Sequence, residues 1–398
     1  YGYPRSVTFH EGRLWFGGSK SRPNTLWGSR VGDYFDFNPG EGLDDDSIEV
    51  TLATDSVNAI TGMFSGRDLQ VFTKGGEFFL PQSDLDPITP SNVVVQTATR
   101  RGSKEGIKPV GAESGTLFIQ RSGKSLREFL FSDVELSYIS NNISLLSSHL
   151  LVTPSDMALR KATSTDDGDL LLIVNSYDGS LATYSILKGQ NVIAPSLCTT
   201  DGSFMNVAVD VDVIYFVVKR TVNSATKYYI ECFNDDYTTD AAVQYTATAG
   251  NLPGSTSVSG LGHLEGKTVK IAADDAMQTD KTVSSGAITT DSTASIFMEI
   301  GIDYTPTIKT MPVELKLPSG NVVAQKKRIV ETTAQLYLSQ NMTINGSDMP
   351  FTAATFFTGK RRRKPMLGFD RMGQITVSQS APLFFTLLGL EYKVSVGQ

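Results

Sequence analysis

The residues with the clearest potential for binding chemistry form two runs of cations near the C-terminal end of the sequence. The first run is Lys326-Lys-Arg328 and the second is Lys360-Arg-Arg-Arg-Lys364. Five consecutive cations create a field that attracts phosphate backbones or an acidic protein surface. The alternative is a solvated turn between strands, because Gly359 precedes the second run and Pro365 follows it. The candidate residues for contacts with DNA or a neighbouring subunit are Lys326, Lys327, Arg328, Lys360, Arg361, Arg362, Arg363 and Lys364.

Enzyme chemistry has little support in the sequence. The three histidines, His10, His149 and His263, lie more than 100 residues apart and form no clustered metal motif. No serine lies between glycines in the nucleophile-elbow pattern. The acidic run Asp44-Asp-Asp46 offers carboxylates for Ca²⁺ or for glycoside hydrolysis, and its alternative is a solvated loop. We therefore predict no catalytic, metal-binding or cofactor-binding residue and no enzyme activity.

The composition is that of a globular protein whose two parts differ in charge. The sequence has 398 residues, of which 40% are hydrophobic and 19% are charged. Residues 1–240 hold 20 basic and 30 acidic side chains, a net of −10, whereas residues 241–398 hold 15 and 12, a net of +3. No apolar run approaches the ~20 residues of a membrane-spanning helix, which predicts no stable membrane insertion. The sequence begins at Tyr1 and not at Met, which predicts a processed chain or a fragment.

Five predicted β-hairpins dominate the first 235 residues. Short apolar runs alternate with Gly, Asp, Asn and Ser turns, which is typical of antiparallel β-structure. The first strands start 43 to 55 residues apart, the period expected of propeller blades. An irregular pair of β-sandwiches is the alternative. The predicted hairpins are Arg13–Gly17 with Asn24–Gly28, Asp68–Thr73 with Glu77–Leu80, Gly115–Gln120 with Leu126–Phe131, Asp169–Val174 with Leu181–Ile186, and Asp212–Val218 with Lys227–Cys232.

The remainder of the chain predicts a smaller β-domain. We expect an all-β protein with a β-propeller of five or six blades over residues 1–238, a linker or long loop over 239–262, and an antiparallel β-domain over 263–398. The linker is predicted because Thr, Gly, Ser and Ala dominate that segment. The apolar stretch Leu383–Leu390 predicts a buried final strand.

Several motifs resemble those of a known family. Tyr3-Pro-Arg-Ser-Val-Thr-Phe-His-Glu-Gly-Arg-Leu-Trp-Phe-Gly-Gly-Ser19, followed by Asn24-Thr-Leu-Trp-Gly-Ser-Arg-Val-Gly-Asp-Tyr-Phe-Asp-Phe37, is similar to the tail nozzle proteins of short-tailed bacteriophages, also called tail tubular protein B. The resemblance continues at Leu69-Gln-Val-Phe-Thr-Lys-Gly-Gly-Glu-Phe-Phe79 and reaches Gly368-Phe-Asp-Arg-Met-Gly-Gln-Ile375. It thus covers nearly the whole chain.

The resemblance implies a structural protein of the virion tail. Copies of such a protein form a hexameric ring around the DNA ejection channel, contact genomic DNA transiently, and join tail adaptor and tail fibre proteins. Family members carry a long segment before the Tyr-Pro-Arg motif. Two alternatives remain at this point: a propeller-type carbohydrate-binding or glycoside-cleaving virion protein, and a propeller interaction module of a cell.

Overall fold

The protein is built from short antiparallel sheets. The computed structural model describes residues 2–53, 58–81, 87–113, 115–164, 167–314, 316–317, 320–321, 325–349, 351, 355–364 and 368–396. Within these ranges the secondary structure is almost entirely β, and no helix is long and apolar enough to cross a membrane. The helical elements there are three single turns of 3₁₀ helix, Ser148–Leu150, Lys188–Gln190 and Gly262–Leu264.

Two compact units divide the chain, and the first contains five sheets in succession. It comprises Tyr1–Arg220 and Tyr228–Phe233. Sheet 1 has strands β1 to β4, Ser6–His10, Arg13–Gly17, Thr25–Gly28 and Ile48–Thr51. Sheet 2 has β5 to β8, Ile60–Ser65, Leu69–Thr73, Glu77–Leu80 and Gln96–Thr99. Sheet 3 has β9 to β12, Val110–Gly111, Thr116–Ile119, Leu126–Ser132 and Ser137–Asn142. Sheet 4 has β13 to β16, Pro154–Arg160, Asp169–Asn175, Leu181–Leu187 and Val192–Cys198. Sheet 5 has β17 to β19, Ser203–Asp210, Val213–Val222 and Ala225–Cys232.

All five predicted hairpins are confirmed. Each is a pair of neighbouring strands in one of these sheets, and each sheet runs as a meander in chain order. Strands β6, β7 and β10 are buried at every position, because their sheets are covered on both sides. Their near-continuous apolar sequence is therefore a consequence of two-sided burial.

Apolar side chains fill the spaces between consecutive sheets. Trp15 and Leu26 of sheet 1 pack with Val71 of sheet 2. An aromatic cluster joins sheet 2 to sheet 3, where the ring centres of Phe72 and Phe118 lie 5.1 Å apart. Further clusters join sheet 3 to sheet 4 and sheet 4 to sheet 5. The first strands lie beside one another, β1 against β5, β9 against β13 and β13 against β17. Face-to-face packing of successive sheets thus organises the first unit.

The second unit is a separate set of smaller sheets. It comprises Thr221–Lys227 and Asn234–Gln398. Its strands β20 to β27 are Asp240–Thr246, Ser257–Ser259, Thr268–Ala273, Ala276–Met277, Lys281–Thr282, Ala287–Thr289, Phe297–Ile302 and Thr307–Lys309. Strands β28 to β35 are Lys316–Leu317, Gly320–Asn321, Lys327–Ser339, Thr343–Ile344, Ser347–Asp348, Phe357–Arg363, Thr376–Ser378 and Thr386–Val396. The main sheets have the strand orders β20-β26-β22-β23, β27-β34-β31-β32 and β33-β30-β35.

The structure corrects two expectations for the C-terminal part. The segment 239–262, predicted as a linker or long loop, contains β20, which pairs with β26, and its Val258 and Leu261 are fully buried in the core of the second unit. This core is formed by residues distant in sequence. The polar composition of the segment 239–262 therefore did not indicate that part of the segment is buried. The predicted buried final strand is β35, which lies at a sheet edge and has no fully buried residue. Its half-buried side chains, such as Leu387 and Leu390, alternate mostly with exposed ones, among them Leu388.

Candidate interaction surfaces

The second run of cations forms a strand and not a turn. It occupies most of β33, which pairs antiparallel with β30, so that Arg361 lies opposite Ala334 and Arg362 lies opposite Thr333. Strand β35 pairs on the other side of β30. We call this three-stranded sheet the cationic sheet. Because successive side chains of a strand point to opposite faces, the four cations within β33, Lys360 to Arg363, are divided between two sides of the sheet.

The solvent face carries Lys360 and Arg362, both ion-paired. The Lys360 ammonium lies 2.6 Å from the Glu391 carboxylate, and the Arg362 guanidinium lies 2.6 Å from Glu331. Lys393 approaches the same Glu331 carboxylate at 3.6 Å. This face therefore presents three cations and two carboxylates, which leaves a small positive surplus. Attraction to phosphate is weaker than the sequence run alone suggests, because the carboxylates oppose it.

The opposite face holds Arg361 against the core. Its guanidinium carbon lies 4.1 Å from the centre of the Phe357 ring and 5.9 Å from that of Phe351. Both rings belong to the edge of an apolar cluster around Leu336 and Ile375. The Arg361 Nε atom is buried without a hydrogen-bond partner, so stacking on the aromatic ring is the main interaction of this side chain. Arg361 thus packs the sheet rather than presenting its charge.

The first run of cations is also divided by burial. Lys327 is only 2% exposed, and its Nζ donates to the Arg371 carbonyl at 2.8 Å. Its inclusion among the contact residues was therefore wrong, since a buried ammonium cannot reach DNA or a neighbouring subunit. Arg328 is half-buried, whereas Lys326 and Lys364 are exposed. The accessible cations of the candidate set are thus Lys326, Lys360, Arg362 and Lys364, with Arg328 and Arg363 half-buried.

A buried arginine that sequence reasoning missed organises the loop of sheet 1. Arg13 is 1% exposed, and its guanidinium donates to the carbonyl oxygens of Ser29 at 2.8 Å, Asp44 at 2.8 Å and Asp46 at 2.6 Å. Burial lowers the pKa of Arg13, and the Asp45 carboxylate opposes this effect. In the sequence, the only local indication of this role is that a charged residue begins an apolar strand pattern. A strand with a solvent-exposed end has the same pattern, so the pattern alone does not indicate burial.

The acidic run Asp44–Asp46 belongs to this loop. The Asp46 Oδ2 atom accepts hydrogen bonds from the backbone N–H groups of residues 41, 42 and 43, at 2.9 to 3.1 Å. Asp45 pairs with Arg30 at 2.6 Å, and the hydrogen bond from that guanidinium lowers the Asp45 pKa. The run therefore lies in a loop where Asp44 and Asp45 are exposed, in agreement with the solvated-loop interpretation, while the buried Asp46 stabilises the loop conformation. No group of three or more His, Cys, Asp or Glu side chains among the described residues could hold a metal ion.

One cleft of the second unit brings two carboxylates together. A cavity of about 510 Å³ is lined by Asp280 and Asp291. Asp280 pairs with Lys270 at 2.9 Å, and Asp291 pairs with Lys281 at 2.6 Å. The hydrogen bond from Lys281 lowers the pKa of Asp291. A general acid for glycoside hydrolysis requires a raised pKa, whereas the pKa of Asp291 is lowered.

Comparisons with known proteins give little further information. No family model and no curated protein matches the chain. Among solved structures, it is similar to the crystal structure of an exo-beta-1,3-galactanase from Phanerochaete chrysosporium, with 9% sequence identity and a TM-score of 0.26 over 98% of this chain and 96% of that chain. At that TM-score the likeness carries no argument about fold or function.

Proposed function

We propose that this chain is a structural component of a bacteriophage tail, belonging to the tail nozzle. In this proposal the five sheets of the first unit are blades of a propeller, and the second unit is a smaller β-domain. Copies associate into a ring around the DNA ejection channel and join adaptor and fibre proteins. The chain has no catalytic role in this scheme, and its place is the virion tail.

The main support is that the motif carrying the family resemblance forms the buried part of sheet 1 and its loop. Arg13 and Trp15 of the first motif are buried in sheet 1, and the segment 24–37 of the second motif forms β3 and the loop that Arg13 holds. These residues make a rigid element, as expected of a scaffold, because their polar atoms are satisfied internally. A catalytic motif would instead direct titratable side chains into a cleft.

Weak attraction to DNA is compatible with this role. A channel protein must let the genome slide, which strong phosphate binding would oppose. The cationic sheet pairs two of its exposed cations with Glu331 and Glu391, and residues 1–240 are acidic overall. Both features limit the affinity for the phosphate backbone.

The test is electron microscopy of the purified protein together with labelling of virions. We expect ring-shaped particles with a central channel, and we expect antibodies raised against this chain to label the tail end of the particles. A protein that stays monomeric and cleaves a polysaccharide would contradict the proposal and support the glycoside-cleaving alternative.

A further inference from the structure

A cavity opens between sheets 2 and 3 of the first unit. Its volume is about 440 Å³, which lies within the range of roughly 300 to 1,000 Å³ that is usual for cavities that bind small molecules. Phe64 of β5 and Phe131 of β11 line it, and both are half-buried. Gly111 lines the cavity beside Phe64, where a Cβ atom would collide with the Phe64 ring. The cavity therefore has an aromatic wall that a ligand can reach.

Two cations line this cavity, and no acidic side chain of the described residues does. Arg67 lies in the turn between β5 and β6, Lys161 follows β13, and both are exposed. The Arg67 guanidinium carbon lies 4.3 Å from the centre of the Phe131 ring, which holds the cation over the aromatic wall. Neither cation has an ion-pair partner within the described ranges. Because residues 1–240 are acidic overall, the positive charge of the cavity is a local exception.

A buried amide is the second polar feature of the cavity. Gln70 is only 4% exposed and belongs to the lining. Its amide interacts with the Tyr138 hydroxyl, whereas its Oε1 atom has no hydrogen-bond partner among the residues that the structure describes. A buried acceptor without a donor is costly. A ligand that brings an N–H or O–H group to this atom therefore removes a cost that the folded protein otherwise carries.

These groups together define the chemistry of the ligand. Two cations suit a phosphate monoester, which carries a charge of about −1.5 to −2 at pH 7, and an arginine binds phosphate through two parallel hydrogen bonds. An aromatic wall suits a planar nucleobase, since stacking of a base on an aromatic ring stabilises binding with little dependence on which base it is. The unpaired Gln70 Oε1 requires a donor, and adenine and cytosine carry an amino group that supplies one.

We propose that this cavity binds a nucleoside monophosphate, either free or at the phosphorylated end of a DNA strand. The phosphate contacts Arg67 and Lys161, the base lies against the aromatic wall, and the amino group of the base donates to Gln70. This site adds a binding function to the proposed tail role and does not depend on it. Binding of a strand end is compatible with weak attraction to the phosphate backbone, because a single nucleotide is held.

The experiment is calorimetric titration of the full chain with deoxyadenosine 5′-monophosphate. We expect a dissociation constant below about 1 mM. Arg67→Gln should raise it by about tenfold through the lost charged hydrogen bonds, and Lys161→Gln should also weaken binding. Deoxyadenosine, which lacks the phosphate, should bind about tenfold more weakly than the nucleotide. The corresponding nucleotide with an unsubstituted purine base should also bind more weakly, because it leaves Gln70 unpaired.

Lys124→Gln is the matched control. Lys124 is exposed in the turn between β10 and β11 and does not line the cavity, so this variant loses the same charge and should bind the nucleotide like the unmodified chain. Circular dichroism should show the same fold for all three variants. The proposal is overturned if Arg67→Gln and Lys124→Gln bind equally well. It is also overturned if the nucleotide binds no better than deoxyadenosine or than the nucleotide with an unsubstituted purine.

Competition with single-stranded DNA distinguishes the two sources of the nucleotide. A linear strand with a 5′-phosphate and a circular strand of the same length are each added to the complex of the chain with deoxyadenosine 5′-monophosphate. Displacement by the linear strand alone supports the proposal and identifies a DNA end as the ligand, whereas displacement by neither supports it with the free nucleotide as the ligand. Equal displacement by both strands overturns it, because the site then binds the phosphate backbone.

Discussion

Arg13 lies among four carbonyl oxygens, those of Ser29, Asp44, Asp45 and Asp46, at distances of 2.6 to 3.4 Å. A buried charge is costly unless its donors are satisfied, and here backbone dipoles satisfy them while the Asp45 carboxylate lies close enough to oppose the pKa-lowering effect of burial. The side chain therefore connects the strand that begins at residue 13 to a loop more than 30 residues later.

Replacing Arg13 by Met should destabilise the protein strongly. The substitution keeps an apolar stem but removes the guanidinium donor from the carbonyl oxygens of Ser29, Asp44 and Asp46, whereas the Asp45 carbonyl keeps the Val31 N–H. We expect a loss of about 2 to 4 kcal/mol in the free energy of unfolding. Urea denaturation followed by tryptophan fluorescence measures it. Arg22→Met is the matched control, since the exposed Arg22–Glu49 pair should contribute no more than about 0.5 kcal/mol. Equal midpoints for the two variants would contradict the assigned role of Arg13.

Tyr138 should make stability depend on pH in the alkaline range. Its hydroxyl donates to Asp68 at 2.9 Å, and burial raises its pKa to about 12. An unfolded tyrosine ionises near pH 10, so the neutral phenol stabilises the folded state below pH 10, and this contribution is lost as the pH rises from 10 to 12. By linkage the loss is about 2 to 3 kcal/mol. Tyr138→Phe should lack this part of the pH dependence.

The measurement is the free energy of unfolding at several pH values between 9 and 12. Tyr177→Phe is the control, because Tyr177 is 82% exposed and its removal should leave the pH profile of the unmodified protein. If Tyr138→Phe and the unmodified protein lose stability in parallel over this range, the buried phenol does not have the assigned effect.

The cationic sheet shows how a strand divides a charge run between two environments. Arg361 stacks on Phe357 at 4.1 Å, whereas Arg362 reaches Glu331 on the solvent face. Neighbours in sequence therefore have different roles, and neutralising Arg361, Arg362 and Arg363 together would mix a packing effect with a charge effect. Single substitutions separate the two.

Arg361→Ala and Arg362→Ala should therefore differ in both stability and DNA binding. Arg361→Ala should reduce the free energy of unfolding by about 1 to 2 kcal/mol through lost stacking and stem packing. Arg362→Ala should change it by about 0.5 kcal/mol or less, but should weaken binding to a DNA duplex and lower the slope of log K against log salt by about one unit. Thermal unfolding and fluorescence anisotropy at several salt concentrations measure these effects, and identical behaviour of the two variants would contradict the division.

Features that depend on a short stretch of sequence could be predicted, and features that depend on distant residues could not. The hairpins were predictable because apolar runs and turn residues are read within about ten positions. Strand β33 was not, because five cations resemble a turn until Thr333 and Ala334 of β30 pair with them. Nor was the burial of Arg13, whose acceptors lie 16 to 33 residues away. The core around Val258 likewise depends on distant strands and not on the composition of its own segment.

The two units should unfold as separate transitions, because each has its own hydrophobic clusters. Differential scanning calorimetry of the full chain can assign them with one variant in each unit. Arg13→Met should lower the midpoint of the transition that belongs to the first unit, and Leu336→Ala, which removes a fully buried side chain of the cluster beneath the cationic sheet, should lower the other.

A loss of about 3 kcal/mol in a unit of this size should shift its midpoint by several degrees, so the two effects can be resolved. A single cooperative transition that moves equally in both variants would contradict independent unfolding. Separate transitions would mean that the sheets of one unit stay folded while the other unit opens locally.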